Sequence, residues 1–305
     1  MSIEVRPLAE ADLASADRIF RLAFGTFIGL RDPLSFRGDA EMIRTRWRSQ
    51  ADGAFGAYRD GELIGSSFAS RWGSFGVFGP ISVHPERWES GIGQRLVEPA
   101  LATLDRWGVR QSGLFTFAQS PKHIGLYQKF GFSPQMLTCV MAKETLKGGS
   151  AFELCNGAAA LPDCAAVTNA VFPGLDAGRE IKAVLEQALG DIVVLREDGK
   201  IHAFAVCHVG KGSEAGSGVA FVKFGAARPG RDASDAFRRL VAACESLAVA
   251  RGAGRLVAGV NTARRSAYRI LGECGFRAFF NGIAMQRPDE LGFNRTDCFV
   301  MDDWR

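Results

Sequence analysis

The chemistry of this chain is most visible in residues 79–96, GPISVHPERWESGIGQRL. A run of strand-forming residues there leads through a turn with Gly91 and Gly93 into a helical pattern. Because glycine has no Cβ, the backbone at these two positions can approach a ligand closely. The first turn of a helix also presents amide N–H groups without partners and the positive end of the helix dipole. The segment therefore predicts a seat for a phosphate group.

Four polar side chains around this turn could move a proton or hold a ligand: His84, Ser120, His123 and Tyr127. Histidine titrates close to neutral pH, and His123 lies four residues before Tyr127, which places both on one face of a helix. A structural role explains each of them as well. His84 precedes a proline in a turn, Tyr127 precedes a Gly-Phe helix end, and Ser120 before a proline is a natural helix cap.

The elements that must position these residues follow from the periodicity of the apolar residues. Strands are predicted at 3–6, 55–59, 62–70, 76–83, 114–118 and 135–141, and helices at 10–23, 39–48, 93–107 and 121–130. Strands and helices thus mix in an α/β class with a mixed sheet, in which an antiparallel hairpin comes first and crossover helices follow. The charged run Arg44–Arg48 is interpreted as the solvated face of its helix, with contact to a substrate as the alternative.

The second half of the chain repeats the first. Arg-Leu-Val recurs at 95–97 and 239–241, and Gly-Phe recurs at 131–132 and 275–276, both at a spacing of 144 residues. Two independent anchors at one offset indicate a tandem duplication. The polar segment KETLKGGS, 143–150, is the predicted joint. We therefore predict domains at 1–145 and 150–305.

Composition excludes several classes of protein. Of 305 residues, 47% are hydrophobic and 23% charged, which fits a globular chain and not a disordered one. The net charge of +4 is small for a nucleic-acid binder. No apolar run reaches the ~18 residues of a membrane span, and the start, MSIEVRPLAEADLAS, has no apolar signal core, so we expect a cytoplasmic protein. Seven scattered cysteines without a CxxC pair, and four histidines without ligand spacing, predict neither disulfides nor a metal site.

The order of these features resembles the GNAT superfamily of acyl-CoA-dependent N-acyltransferases. The most specific pieces are VHPERWESGIGQRL (83–96) and LYQKFGF (126–132), spaced as that superfamily spaces its CoA loop and its last helix. The resemblance implies two tandem GNAT-like domains, each a mostly antiparallel hairpin region followed by β-α-β-α-β. It also implies acetyl-CoA as the co-substrate and no metal.

The same resemblance assigns roles to individual residues. The backbone of Ile81, Ser82 and Val83 would pair with the pantetheine arm of CoA as an added strand. The amides that hold the pyrophosphate would be those of Glu89, Ser90, Gly91, Ile92, Gly93 and Gln94, with Ser120 as a further CoA contact. Tyr127 would protonate the departing thiolate as a general acid. In the family pattern Q/R-x-x-G-x-G the first position falls on Trp88, which puts a side-chain contact to the pyrophosphate in doubt.

The general base is left open by the sequence. An amine must lose its proton to attack a thioester, and many members of the superfamily carry a glutamate on the strand before the CoA turn. Residues 76–83, GVFGPISV, contain no acid. His84 and His123 are the remaining candidates.

The repeat has lost the residues of this site. At the offset of 144 residues, Gly91 becomes Asp235, Gly93 becomes Phe237 and Tyr127 becomes Leu271. A carboxylate at that helix start would repel a phosphate. We therefore predict a second domain that keeps the fold and has no intact CoA site.

The predicted function is the transfer of an acetyl group from acetyl-CoA to a primary amine of a small molecule or peptide, catalysed by the domain at 1–145. The alternative is an acyl-CoA-binding sensor or interaction protein without turnover. Neither a nucleic acid nor a membrane is expected as a partner. The sequence leaves open the acceptor, the acyl chain length, the contribution of the second domain to the acceptor pocket and the oligomeric state.

Overall fold

A computed structural model describes residues 3–146, 151–155 and 157–305. Of the predicted joint at 143–150, residues 147–150 lie outside the described residues. Residues 3–146 are called the first half below and residues 151–305 the second half. The first half contains β1 (Ile3–Pro7), α1 (Leu13–Phe27), α2 (Met42–Ser49), β2 (Ala54–Arg59), β3 (Glu62–Trp72), β4 (Phe75–Val83), α3 (Ile92–Arg106), β5 (Gln111–Thr116), α4 (Pro121–Gln128) and β6 (Ser133–Glu144).

The second half repeats this order. It contains β7 (Glu153–Leu154), α5 (Leu161–Val171), α6 (Gly178–Glu186), β8 (Gly190–Glu197), β9 (Lys200–Gly210), β10 (Gly216–Ala227), α7 (Ala233–Ala250), β11 (Arg255–Asn261), α8 (Arg265–Glu273), β12 (Arg277–Arg287) and β13 (Val300–Met301).

Each half begins its sheet with the predicted hairpin. Asp60 and Gly61 turn the chain from β2 to β3 with φ of 53° and 84°, and Asp198 and Gly199 do the same between β8 and β9 with φ of 49° and 76°. Positive φ at both central residues is the turn that matches the twist of an antiparallel pair. The Asp-Gly signal is therefore confirmed in both copies.

The thirteen strands of the described residues join in one mixed sheet, and the halves exchange their last long strand. Twelve of them follow the order β1-β2-β3-β4-β5-β12-β6-β11-β10-β9-β8-β7, and β13 pairs with β10. Strand β12 of the second half lies beside β5 of the first, with Met285 opposite Leu114. Strand β6 of the first half lies beside β11 of the second, with Ala142 opposite Val257. The repeat did not predict this exchange.

The two halves also share a hydrophobic core. Trp72 and Phe75 of the first half are buried in one cluster with Phe204 and Phe224 of the second. The ring of Trp72 lies 5.5 Å from that of Phe224 in an edge-to-face arrangement. Helices of the second half therefore cover part of the sheet that the first half begins.

Strands β4 and β5 run parallel for four residues and then separate. Their pairing ends at Phe78, opposite Leu114. Directly afterwards β4 bulges, since Ala69 pairs with Phe78 and Ser67 pairs with Ile81, so that two residues of β4 oppose one of β3. A bulge bends its strand and increases the local twist. The separation creates the edge on which the candidate site lies.

Candidate active site

Residues Ile81–Val83 form a strand edge that is open on one side. They pair with β3, where Val83 lies opposite Gly65. On the side of β5, no described residue pairs with them. An unpaired edge offers backbone N–H and C=O groups to any extended ligand. The edge is therefore shaped to accept one more strand.

The turn after this edge presents a row of free amides. Gly91 is the N-cap residue of α3 with a left-handed φ of 78°, and no side chain caps the helix. None of the six amides from Glu89 to Gln94 donates a hydrogen bond to a described residue. A Cβ added at Gly91 would have no heavy atom within 4 Å and so would point into open space. Free amides at a helix N-terminus suit a phosphate, and this turn fits the pyrophosphate of CoA.

Two charged side chains and one indole border this turn. Lys122 of α4 lies 3.1 Å from the carboxylate of Glu89, and both are exposed. The indole of Trp88 donates a hydrogen bond of 2.8 Å to the carbonyl of Val83. Trp88 thus contacts the end of the open edge.

Helix α4 begins with the predicted cap and carries the predicted acid. The Oγ of Ser120 accepts a hydrogen bond of 3.3 Å from the amide of His123. The ring of Tyr127 is buried and lies edge-on to Phe78, at 6.0 Å, where β4 and β5 separate. Its hydroxyl makes no hydrogen bond with a described residue. Burial raises the pKa of Tyr127, so its phenol is protonated at neutral pH and can donate a proton.

The two histidine candidates lie in different surroundings. The imidazole of His123 contacts the rings of Phe27 and Phe117 at 4.8 and 5.8 Å. Its buried Nδ1 has no partner among the described residues. Burial, with a smaller contribution from Lys122, lowers the pKa of His123, so the ring is neutral and can accept a proton. His84 donates its backbone N–H to the carbonyl of Ile64, and among the described residues it makes no hydrogen bond with α4.

The corresponding edge in the second half is already paired. Strand β10 bulges between Val222 and Phe224, and the residues that follow, 225–227, correspond to 81–83 at the offset of 144. Strand β13 lies against them, with Met301 opposite Gly225 and Val300 opposite Ala226. The amide of Ala227 also donates to the carbonyl of Phe299 at 3.0 Å. Strand β13 of the chain thus occupies the edge that corresponds to the open edge of the first half. A two-residue strand has too few residues to be recognised in the sequence.

The side chains that replace the first-half site are structural. Phe237 and Leu271 are completely buried in the core of the second half. Asp235 is exposed in the first turn of α7. The first turn of α7 thus carries a carboxylate, which would repel an anion.

The interpretation of Arg44–Arg48 as a solvated face is correct for its ends and wrong for its centre. Arg44 and Arg48 are exposed, whereas Arg46 is only 6% exposed. It forms a buried ion pair with Glu214 of the second half. A single helix does not reveal which of its arginines faces a neighbouring half, so the sequence missed this contact.

The described residues contain neither a metal-binding cluster nor a membrane-spanning helix. Within residues 3–146, 151–155 and 157–305, no three His, Cys, Asp or Glu side chains are grouped to hold a metal ion. No helix in that part of the chain is both long and apolar enough to cross a bilayer. The seven cysteines are free thiols, of which six are buried.

Comparison with known proteins shows a likeness to one family. Residues 17–132 match the model of the acetyltransferase (GNAT) family. No curated protein matches the chain at a significant level.

Solved structures resemble the chain over nearly its whole length. A putative acetyltransferase from Pyrococcus horikoshii is 16% identical with a TM-score of 0.71, covering 99% of this chain and 95% of that one. A GCN5-related N-acetyltransferase from Sphaerobacter thermophilus is 16% identical with a TM-score of 0.61, covering 93% and 95%. A tandem GNAT protein from the clavulanic acid biosynthesis pathway is 10% identical with a TM-score of 0.59, covering 93% and 98%. At these identities the likeness establishes the fold alone.

Proposed function

We propose that this protein, which belongs to the GNAT family through its residues 17–132, transfers an acetyl group from acetyl-CoA to a primary amine, with one active site in the first half. The observation that carries the proposal is the open edge of Ile81–Val83 followed by six free amides at residues 89–94. These two features lie in the order in which the pantetheine arm and the pyrophosphate of CoA would meet them.

The proposed reaction needs two proton transfers. The amine nitrogen attacks the thioester carbonyl, a C–N bond forms and the C–S bond breaks, and the amine loses one proton. Tyr127 gives its hydroxyl proton to the departing thiolate. A tyrosine phenol is protonated at neutral pH, as this role requires.

A base must take the proton of the amine. His123 is the better supported of the two candidates because its imidazole is neutral and its Nδ1 has no partner among the described residues. It also shares α4 with Tyr127, which places acid and base on one rigid element. His84 is retained as the second candidate.

One acetyl-CoA per chain is part of the proposal. Strand β13 occupies the second-half edge, and Asp235 stands where Gly91 stands in the first half. The domain boundaries at 1–145 and 150–305 are proposed as divisions of sequence and function, because the sheet itself is shared.

The absence of an acid from residues 76–83 favours one alternative, an acyl-CoA-binding sensor without turnover. The two functions separate in one experiment. The chain is incubated with acetyl-CoA and a panel of amines, namely small amines, amino acids, polyamines and peptides, and free CoA is measured with a thiol-reactive dye. Amine-dependent release supports the transferase, whereas tight acetyl-CoA binding without release for any amine supports the sensor. No binding would contradict both.

A further inference from the structure

The bulge in β4 releases one carbonyl from the strand ladder. Gly79 lies between the pairs Ala69–Phe78 and Ser67–Ile81 and has no partner on β3. Its carbonyl accepts a hydrogen bond of 2.9 Å from Nη1 of Arg46, which lies on α2. Because Gly79 lies two residues before the open edge, this contact fixes the chain where that edge begins.

The guanidinium of Arg46 is held by the second half. Its Nε and Nη2 atoms lie 3.1 and 2.9 Å from the two carboxylate oxygens of Glu214. Nη2 also donates to the main-chain oxygen of Arg305. A bidentate pair of this kind fixes both the position and the orientation of the planar group. Arg46 therefore cannot turn toward Gly79 independently of Glu214.

Glu214 is fixed in turn. It is 2% exposed, and both its carboxylate oxygens accept hydrogen bonds from Lys223 at 3.1 and 2.9 Å. Its own amide donates to Nδ1 of His208. Burial opposes its charge, but Arg46 and Lys223 outweigh burial and hold the pKa of Glu214 well below its usual range. The carboxylate is therefore ionised and bound from two sides.

Lys223 connects this cluster to the second bulge. It is the extra residue of β10, between the pairs of Val222 and Phe224, and it corresponds to Gly79 at the offset of 144 residues. A continuous series of hydrogen bonds thus runs from Gly79 through Arg46 and Glu214 to Lys223. It links the bulge of β4 to the bulge of β10 through buried groups.

We propose that Arg46 is a positioning residue for acetyl-CoA, and that Glu214 of the second half holds it in place. The inference rests on the proposed function, since it assumes that CoA pairs with Ile81–Val83. The inference gives the second half a role in the first-half site. Through Glu214 and Arg46, the second half fixes the bulge that precedes the edge at Ile81–Val83. Neither residue touches the reacting atoms.

Two variants of the full chain test this role by calorimetric titration with acetyl-CoA. Arg46→Lys keeps the charge but loses the planar fork that bonds Gly79 and Glu214 together. Glu214→Asp keeps the charge but is one methylene shorter. We expect acetyl-CoA affinity to fall about tenfold or more in Arg46→Lys and less in Glu214→Asp. With an acceptor at saturation, KM for acetyl-CoA should rise while kcat changes less than threefold.

Arg264→Lys is the matched control. Arg264 is 0% exposed, pairs with Asp302 at 2.9 Å and contacts no residue of the first half through a hydrogen bond among the described residues. It should lose thermal stability to a similar degree and bind acetyl-CoA as the wild type does. Equal loss of affinity in this control would show that general destabilisation explains the effect and would overturn the inference.

The remaining outcomes are also decisive. Unchanged affinity in folded Arg46→Lys and Glu214→Asp would overturn the positioning role while the proposed function stands. If Arg46→Lys does not fold, the affinity of Glu214→Asp against that of Arg264→Lys decides alone. If the wild type itself does not bind acetyl-CoA, the proposed function fails and the inference fails with it.

Discussion

The edges at 81–83 and 225–227 occupy the same place in the two halves and have different partners. Each follows a bulge, at Gly79–Pro80 in β4 and at Lys223 in β10. The first edge is open on one side among the described residues, whereas β13 fills the second. The bulge is therefore kept in the second half, where no ligand is expected. There, strand β13 pairs with the backbone groups that correspond to the open ones of the first half.

The helices that follow the two edges, α3 and α7, also begin differently. Helix α3 begins with a left-handed glycine and with amides that have no partner among the described residues, whereas α7 has Asp232 at its N-cap and Asp235 in its first turn. The carboxylates at the start of α7 would repel an anion, and the start of α3 carries none in its first turn. The first two of the following predictions compare a residue of the first half with one of the second, and the third compares the two histidine candidates of the first half.

The largest effect is expected from Tyr127→Phe. General acid catalysis contributes roughly 10²–10⁴-fold, so kcat should fall by about that factor while acetyl-CoA affinity stays within threefold. Tyr268→Phe in α8, three residues before Leu271, is the control and should keep wild-type turnover, because Tyr268 is exposed and far from the first-half edge in the sheet order. Wild-type kcat in Tyr127→Phe would make the tyrosine structural.

A weaker effect is expected from Gly91→Val. A β-branched residue at a φ of 78° carries a strain of about 1–3 kcal/mol, which the turn can relieve only by leaving the geometry that presents its amides. Acetyl-CoA affinity should therefore fall about 10- to 100-fold while circular dichroism shows a folded protein. Asp235→Val, the matched change in the second half, should bind normally. Equal acetyl-CoA affinity in Gly91→Val and Asp235→Val would show that the turn at Gly91 does not bind the phosphate.

The smallest effect is a shift in pH dependence. Burial and Lys122 lower the pKa of His123, and a general base works in its deprotonated form, so activity should persist below neutral pH and fall only in acid. Lys122→Gln removes the smaller cause, which raises that pKa and moves the acid limb of kcat to higher pH. His84→Gln should leave both the activity and the limb in place. Loss of activity in His84→Gln, with no movement of the limb in Lys122→Gln, would make His84 the base.

Local elements and the duplication were predictable because short-range chemistry specifies them. Asp-Gly turns require positive φ at two residues, and Ser120–Pro121 specifies a helix start, so these features need no knowledge of distant neighbours. The spacing of 144 residues matched Gly91 with Asp235 and Gly93 with Phe237 from the sequence alone. In the structure, the same spacing identifies residues 225–227 as the counterpart of the open edge.

Long-range partners were not predictable. Strand β12 has the same alternating pattern whether it pairs with β5 or β11, so the exchange leaves no trace in its sequence. Arg46 lies between Arg44 and Arg48 in the sequence. What distinguishes it from them is its contact with Glu214, which lies 168 residues further along the chain. Strand β13 has two residues, which are too few to show a periodic pattern of apolar residues.

The central claim is that one half binds CoA and the other binds its own chain. Calorimetric titration of the full chain with acetyl-CoA tests it most directly, since the molar ratio at saturation counts the sites. We predict one site per chain, weakened in Gly91→Val and unchanged in Asp235→Val. Two sites per chain, or one site that survives in Gly91→Val with wild-type affinity, would contradict the account.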